Sequence, residues 1–209
     1  MTKTLGVPSE VKDGERRVAL DPPAVAILTR VGLKVLVECG AGVAARFSNA
    51  EYQVAGTDLV LNAEEVWGAD LVVKVKEFLP STWKQFRRGL KLFGYLHLAT
   101  APELARALQV AGVEAHAFET VSDGRGLPLF APMSDIAGHS APIMGANYLA
   151  QGSGALLGDS AGVPPGCVVV VGMGVGGTRA VRGLAEWLPR SPEWKSISND
   201  FVKSNSMAS

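Results

Sequence analysis

A glycine-rich turn between an apolar run and a helix-like segment constrains the fold of this chain more than any other feature. Four valines, Val168–Val171, lead directly into Gly172-Met173-Gly174-Val175-Gly176-Gly177. The glycines fit the G-x-G-x-x-G spacing of a dinucleotide-binding turn. In that turn the first glycine permits a tight bend, the second lets the backbone approach a pyrophosphate, and the third allows close packing of helix on strand. The sequence therefore predicts a strand at 168–171, followed by a helix whose N-terminus faces the phosphates.

The residues after this helix do not continue the expected pattern. A second strand ending in an acidic residue is expected about 20 positions after the glycines. That window, residues 188–195, reads LPRSPEWK and has no strand pattern. Residues 188–209 contain six serines and two prolines, with little apolar periodicity. We expect an incomplete dinucleotide-binding domain over 151–187 and a disordered tail over 188–209.

Composition excludes several classes of partner. The 209 residues are 47% hydrophobic and 19% charged, which is enough apolar side chain for a core. Lys+Arg and Asp+Glu both number 20, so the chain has no net charge that would favour binding to nucleic acid or to an anionic membrane. Cys39 and Cys167 lack metal-site spacing, which favours reduced, buried thiols. No signal peptide or apolar run of roughly 18 residues is present, so we expect a cytoplasmic protein without a metal site or membrane span.

Short apolar segments alternate with helix-like segments through the first 131 residues. Strands are predicted at five places, Leu5–Val7, Lys34–Glu38, Leu71–Val75, Leu90–Tyr95 and Val113–Ala117. Helix N-caps are predicted at Asp21, Asn62 and Thr100. Strands separated by helices specify an α/β fold with a mainly parallel, Rossmann-like sheet. Ligands are then expected beyond the carboxyl ends of the strands.

A long helix is predicted over residues 132–150, where apolar residues recur at helical spacing. A glycine- and proline-rich connection separates it from the valine run. The predicted organisation is therefore a first domain over 1–131, a bridging helix over 132–150, and the start of a dinucleotide-binding domain over 151–187.

Polar residues that could do chemistry follow several of the predicted strands. These are Arg17, Lys74, Lys76, His97 and Glu119. The two lysines alternate at the end of one strand, an arrangement that would suit an anion, and imidazole suits proton transfer near neutral pH. Each residue also has a structural interpretation: a solvated loop charge for Arg17, snorkelling strand ends for the lysines, a hydrogen-bonded rim residue for His97, and a helix-dipole or lysine partner for Glu119. Because all five residues are expected at one edge of the sheet, a functional role is favoured over a purely structural one.

Several sequence blocks together resemble the alanine dehydrogenase family. The opening block is Leu5-Gly6-Val7-Pro8-Ser9-Glu10-Val11-Lys12 with Glu15-Arg16-Arg17-Val18-Ala19. The later blocks, in chain order, are Val73-Lys74-Val75-Lys76-Glu77, Leu96-His97-Leu98-Ala99, Phe118-Glu119-Thr120-Val121, and Leu127-Pro128-Leu129 through Pro132-Met133-Ser134-Asp135-Ile136-Ala137-Gly138. The resemblance runs from residue 4 to about residue 186. The related alpha subunit of the proton-translocating transhydrogenase shares the opening block, but the histidine and Glu119 blocks are closer to the dehydrogenase.

The resemblance implies a role for each matched residue. Arg17 and Lys76 would hold the substrate carboxylate. His97 would be the acid–base residue, and Lys76 would be catalytic as well as substrate-binding. The cofactor contacts would be Ser134, Gly172, Gly174 and Gly177. The implied reaction is the reversible, NAD-dependent oxidative deamination of L-alanine to pyruvate and ammonium. Lys74 has no matched role in the family pattern.

Three functions remain open from the sequence. The chain is an alanine dehydrogenase impaired by the missing part of its NAD domain, or a catalytically inactive homologue that binds ligand or a full-length subunit, or a transhydrogenase alpha-subunit fragment. In each, a small-molecule substrate is the partner and a homo-oligomer is possible. The preference between NAD and NADP is also open.

Overall fold

The computed structural model describes residues 3–153, 156–157 and 168–187. The chain divides into two compact units, one ending at Phe130 and one beginning at Ala131. The first unit alternates strands and helices, as predicted. Its strands are β1 (Thr4–Val7), β2 (Lys34–Glu38), β3 (Asp58–Val60), β4 (Leu71–Val73), β5 (Lys91–Gly94) and β6 (Glu114–Ala117). Its helices are α1 (Pro22–Arg30), α2 (Asn49–Val54), α3 (Ala63–Trp67) and α4 (Pro102–Ala111).

The six strands form one sheet in the order β3-β2-β1-β4-β5-β6, and every neighbouring pair is parallel. The predicted parallel α/β fold is therefore confirmed. Leu5 of β1 is in register with Val35 on one side and Leu71 on the other. Strand order reverses between β1 and β4, and the crevice beyond the carboxyl ends of such strands is where doubly wound folds bind ligands.

Hydrophobic side chains cover both faces of the sheet, because consecutive residues of a strand point in opposite directions. Val73 belongs to one core cluster, with Val7, Val37 and Tyr52. Its neighbour Val72 belongs to the other cluster, which contains Trp67, Phe78, Leu92 and Leu104. Burial on both faces explains why the central strands read as continuous apolar runs.

Two of the three predicted helix starts agree with the structure in position, and the third is displaced by one residue. Asp21 caps α1 as predicted, accepting the Ala24 N–H at 2.9 Å, with Pro22 at the first position. Asn62 precedes α3, but its side chain donates to Glu65 instead of capping the backbone. Helix α4 begins at Pro102 with Ala101 as N-cap, because Thr100 closes a 3₁₀ turn and its hydroxyl donates to the His97 carbonyl.

Strand β3 was not predicted from the sequence. It is three residues long, lies at the edge of the sheet and begins with the exposed Asp58. An edge strand this short carries too little alternation to be recognised locally. Strand β4 is also shorter than predicted and ends at Val73. Cys39 is a free cysteine and is partly exposed instead of buried, and Cys167 lies outside the described residues.

The second unit contains two described helices, α5 (Ala131–Ser153) and α6 (Val175–Trp187). They pack closely, since a Cβ on Gly138 of α5 would lie 2.2 Å from the Gly176 carbonyl oxygen. Helix α5 covers the predicted bridging segment and extends beyond it at both ends. None of the described helices is long and apolar enough to cross a membrane.

The predicted strand at Val168–Val171 is not present in the structure. These valines have no regular secondary structure, and Val171 is 95% exposed. A strand needs a neighbouring strand to receive its N–H and C=O groups, and no strand occurs among the described residues from Ala131 onward. The predicted disordered tail at 188–209, and with it the window for the ribose-binding acid, lies outside the described residues.

Candidate functional site

The predicted substrate residues lie on loops that follow three adjacent strands. Arg17 follows β1, Lys76 follows β4 and His97 follows β5. These strands are neighbours in the sheet and all run in the same direction, so their carboxyl ends share one edge. This edge includes the point between β1 and β4 where strand order reverses, and it defines the candidate substrate site of the first unit.

Arg17 is held by a carboxylate from its own loop. Its Nε donates to Glu15 Oε1 at 2.8 Å and its Nη2 donates to Glu15 Oε2 at 2.6 Å. The side chain of Glu15 is 6% exposed, whereas that of Arg17 is 39% exposed. The hydrogen bonds and charge of Arg17, with a smaller contribution from the Lys76 charge, outweigh the opposing effect of burial and lower the pKa of Glu15 to about 2. The pair therefore stays ionised, and it presents a fixed guanidinium at the sheet edge.

Lys74 and Lys76 do not form the anion-binding pair that their spacing suggested. Lys74 is buried, and its Nζ lies 3.1 Å from the Oε2 atom of the equally buried Glu10. A buried ammonium needs a paired charge, and Glu10 supplies that charge from within the protein. Lys76 is partly exposed and lies beyond the end of β4. The expected snorkelling strand end is therefore wrong for Lys74, which instead has a structural role as the buried partner of Glu10. Lys76 remains the candidate for binding substrate.

Glu10 also fixes the loop that carries Lys76. Its Oε1 accepts the Val75 N–H at 2.6 Å, and its Oε2 accepts the Lys76 N–H at 3.4 Å. Lys12 forms an ion pair with Glu77 in the same two loops. Hydrogen bonds and charge pairs thus connect the loop after β1 to the loop after β4.

His97 is exposed and its backbone is left-handed, with φ 49° and ψ 39°. Its ring stacks on that of Tyr95, with centroids 5.8 Å apart and planes 9° from parallel. Tyr95 is buried, and its hydroxyl donates to the Leu129 carbonyl at 2.8 Å. Burial raises the pKa of Tyr95, while the charge of Arg17 lowers it and that of Glu119 raises it. The Tyr95 hydroxyl therefore lies within the electrostatic reach of both charged residues.

Sequence reasoning missed Tyr95, Glu10 and Glu15 as members of the site. Tyr95 stands two residues before His97, so the strand alternation that located His97 could have found it. Glu15 is two residues before Arg17 within the recognised block, but its pairing with Arg17 is a property of the loop conformation. The contact between Glu10 and the Lys76 loop joins residues that are 66 positions apart. Only the tertiary structure reveals a contact of that kind.

The glycine turn of the second unit has the geometry that its spacing predicts. Gly172 has φ +96°, a conformation that side-chain-bearing residues rarely adopt. A Cβ on Gly177 would lie 1.8 Å from the Gly172 carbonyl oxygen, so the third glycine is required for packing. A Cβ on Gly174 would meet nothing within 4 Å. Among the described residues there is therefore no packing reason for the second glycine, and the space around it would admit a ligand.

Ser134 lies in the first turn of α5, near the start of α6. Its carbonyl oxygen is 3.2 Å from the position that a Cβ on Gly176 would take. Arg179 of α6 reaches back to α5, with its Nη2 at 3.1 Å from His139 Nδ1. The predicted cofactor residues are thus brought together within the second unit. Among the residues that the structure describes, no cluster of His, Cys, Asp and Glu could hold a metal ion.

Comparisons with known proteins agree with this architecture. Residues 6–137 match the family described as "Alanine dehydrogenase/PNT, N-terminal domain". Alanine dehydrogenase of Bacillus subtilis is 49% identical over 181 residues, covering 85% of this chain and 48% of the relative. A solved L-alanine dehydrogenase is 42% identical with TM-score 0.78, over 88% of this chain and 52% of that one.

A more distant solved structure is the transhydrogenase from Sinorhizobium meliloti. It is 25% identical with TM-score 0.70, over 88% of this chain and 56% of that one. The chain spans about half the length of the relatives it matches. The parallel sheet, the order of the sequence blocks and these matches lead to one conclusion: the chain belongs to the alanine dehydrogenase/PNT family and contains its N-terminal domain.

Proposed function

We propose that this chain carries the substrate site of an NAD-dependent alanine dehydrogenase, which binds L-alanine and pyruvate at the carboxyl edge of the sheet. The observation that carries the proposal is the placement of Arg17, Lys76 and His97 on loops after three adjacent parallel strands. The overall reaction is the reversible oxidative deamination of L-alanine to pyruvate and ammonium. The dehydrogenase relatives are more similar to this chain than the transhydrogenase, and this favours the amino-acid substrate.

Arg17 and Lys76 bind the substrate carboxylate in this proposal. A guanidinium has five N–H donors in a fixed plane, so Arg17 has the donors to hold Glu15 and a second carboxylate together. Lys76 adds a second positive charge, and its influence on the Glu15 pKa indicates that it lies near the Arg17 pair. Two cations beside one carboxylate orient a three-carbon acid with its α-carbon directed away from them.

His97 exchanges protons with the oxygen or nitrogen on the substrate α-carbon. It is exposed, so it is accessible to substrate, and the stacked Tyr95 ring fixes one face of the imidazole. Imidazole exchanges protons near neutral pH, as both directions of the reaction require.

The glycine turn fits the pyrophosphate of NAD. Gly172 makes the bend, Gly177 lets α6 pack against it, and the space around Gly174 allows close approach of a ligand. Ser134 is the further cofactor contact. When bound, the nicotinamide accepts hydride from the substrate α-carbon. The window in which the ribose-binding acid was expected has no strand pattern in the sequence, and Val168–Val171 pair with no described strand. We therefore expect weak NAD binding and no sustained NADH formation by the purified chain.

Calorimetric titration of the 209-residue chain with pyruvate tests the substrate site. Arg17→Ala is expected to weaken pyruvate binding by about 100-fold, since hydrogen bonds to charged groups are worth roughly 1.5–3 kcal/mol. Lys76→Ala is expected to weaken it by about tenfold. Arg16→Ala is the matched control, because Arg16 is adjacent, exposed and carries the same charge. Equal losses for Arg16 and Arg17 would contradict the proposal.

An assay of L-alanine oxidation separates the remaining alternatives. Pyruvate binding without NADH formation is the expected result. Robust NADH formation that is abolished by His97→Ala would show that the chain is a complete enzyme. No binding of pyruvate at millimolar concentration would refute the proposed substrate site and leave a role as a partner for another subunit.

A further inference from the structure

His97 adopts a backbone conformation that residues with a side chain adopt only infrequently. Its φ of 49° is in the left-handed region, which is unfavourable for residues with a Cβ. Among the described residues, the other non-glycine residue with positive φ is Arg46, in the loop before α2. A strained backbone at a residue that contacts substrate requires surrounding groups to hold it.

Glu119 and Thr100 provide the hydrogen bonds that hold this conformation. Glu119 Oε1 accepts the His97 N–H at 2.7 Å and the Leu96 N–H at 3.2 Å. On the other side, the His97 carbonyl accepts from the backbone N–H of Thr100 at 2.9 Å and from its hydroxyl at 3.0 Å. A carboxylate that accepts two successive N–H groups closes the turn with charge-assisted hydrogen bonds.

The residue before Glu119 holds the ring on which His97 stacks. Phe118 makes an edge-on contact with Tyr95, with centroids 5.3 Å apart. Phe118 and Glu119 both belong to the 3₁₀ turn Phe118–Thr120, which follows β6, the strand beside β5. One turn therefore fixes both the main chain of His97 and the aromatic ring beneath its imidazole.

The same device occurs at Lys76, where Glu10 accepts the backbone N–H groups of Val75 and Lys76. Glu10 also pairs with the buried Lys74, so its removal would leave a buried charge unpaired. Glu119 lies at the protein surface and is only partly buried, which makes it the better residue for a test.

We propose that Glu119 is a positioning residue for His97. It holds the left-handed backbone through the Leu96 and His97 N–H groups and so fixes the imidazole against Tyr95. The role of His97 in binding substrate rests on the proposed function, but the geometric effect of Glu119 does not. Glu119 itself need not touch substrate, and its effect on substrate binding passes through His97.

The geometry is tested by NMR on the ligand-free chain. In Glu119→Ala, the His97 and Leu96 amides are expected to exchange with solvent about tenfold faster or more, and the nuclear Overhauser contacts between the His97 and Tyr95 rings should disappear. Glu119→Gln keeps an acceptor oxygen and should retain the ring contact. Glu114→Gln is the matched control, because Glu114 is an exposed carboxylate of β6 that pairs with Lys91 and His116. Persistence of the ring contact in Glu119→Ala, or its loss in Glu114→Gln, would overturn the proposal.

A pyruvate titration then separates positioning from general destabilisation. Glu119→Ala should weaken pyruvate binding about tenfold in the parent chain and have no further effect in a His97→Ala background. An equal loss in both backgrounds would show that Glu119 does not act through His97. Absence of pyruvate binding in the parent chain would refute the proposed function, while the ligand-free ring contact would still decide the role of Glu119.

Discussion

Two short valine-rich segments of this chain have opposite structural outcomes. Leu71–Val73 forms β4 at the centre of a six-stranded sheet, and Val72 is fully buried between β1 and β5. Val168–Val171 has an even stronger strand composition, yet it forms no strand, and Val171 is almost fully exposed. The difference lies in the neighbours: β4 has a parallel partner on each side, whereas the described part of the second unit offers none. A segment with high strand propensity forms a strand only where a neighbouring strand is in place to pair with it.

The two units also differ in how their polar residues are used. In the first unit, Glu10, Glu15 and Glu119 each accept a backbone N–H of a predicted site residue. In the second unit, close glycine contacts arrange α5, α6 and the turn between 172 and 177. Glu10 and Glu119 reach site residues that are distant in sequence, so these contacts depend on the completed sheet. The Gly172–Gly177 contact lies within one turn, whereas the Gly138–Gly176 contact depends on the packing of α5 against α6.

The largest expected effect comes from breaking the buried pair in the first unit. Lys74→Ala would leave the Glu10 carboxylate buried without its partner and is expected to lower the free energy of unfolding by about 3–5 kcal/mol. Lys34→Ala removes an exposed pair with Asp58 and should cost no more than about 1 kcal/mol. Urea unfolding followed by circular dichroism measures both. Similar losses for the two variants would contradict the burial argument.

The two valine segments are compared directly by a second pair of variants. Val72→Ala should lower the free energy of unfolding by about 2 kcal/mol, because a fully buried side chain leaves a cavity. Val171→Ala should change it by less than about 0.5 kcal/mol, because this side chain is already in solvent. A large cost at Val171 in the same urea experiment would mean that the valine run is packed in solution.

The glycine turn of the second unit offers a comparison within one motif. Gly177→Ala forces a Cβ against the Gly172 carbonyl and should destabilise α6 by about 1–3 kcal/mol, seen as faster amide exchange in residues 178–186. Gly174→Ala should leave that exchange unchanged but weaken NAD binding, because its Cβ enters open space near the expected pyrophosphate. Equal effects of the two variants on α6 exchange would contradict the assignment.

The smallest expected effect is the pH dependence contributed by Glu15. Its pKa is about 2 in the folded protein against 4.5 for the unperturbed group. The contribution of ionised Glu15 to the free energy of unfolding is therefore complete above about pH 4.5 and is lost as pH falls towards 2. Because Arg17 is partly exposed, we expect a difference of about 1 kcal/mol between the parent chain and Glu15→Gln at pH 7. Urea unfolding at pH 7, 5 and 3 should show this difference shrinking, and a constant difference would contradict the pairing.

Much of the fold and of the candidate site could be predicted from local pattern. Five of the six strands, the parallel sheet and the placement of Arg17, Lys76 and His97 after strands follow from apolar runs that alternate with helix signals. The edge strand Asp58–Val60 was missed because its three residues become a strand only by pairing with β2. Lys74 and Lys76 looked equivalent because both stand at the end of the same predicted strand.

The sequence by itself determined most of the alternating elements of the first unit and the residues at the carboxyl edge, because apolar periodicity and turn residues act over a few neighbouring positions. The family followed from the resemblance of its sequence blocks. The tertiary structure decided that Lys74 pairs with Glu10, that Glu119 holds His97 in a left-handed conformation, and that Val168–Val171 form no strand. Each of these outcomes depends on whether a partner distant in sequence is present or absent. No local pattern encodes that information.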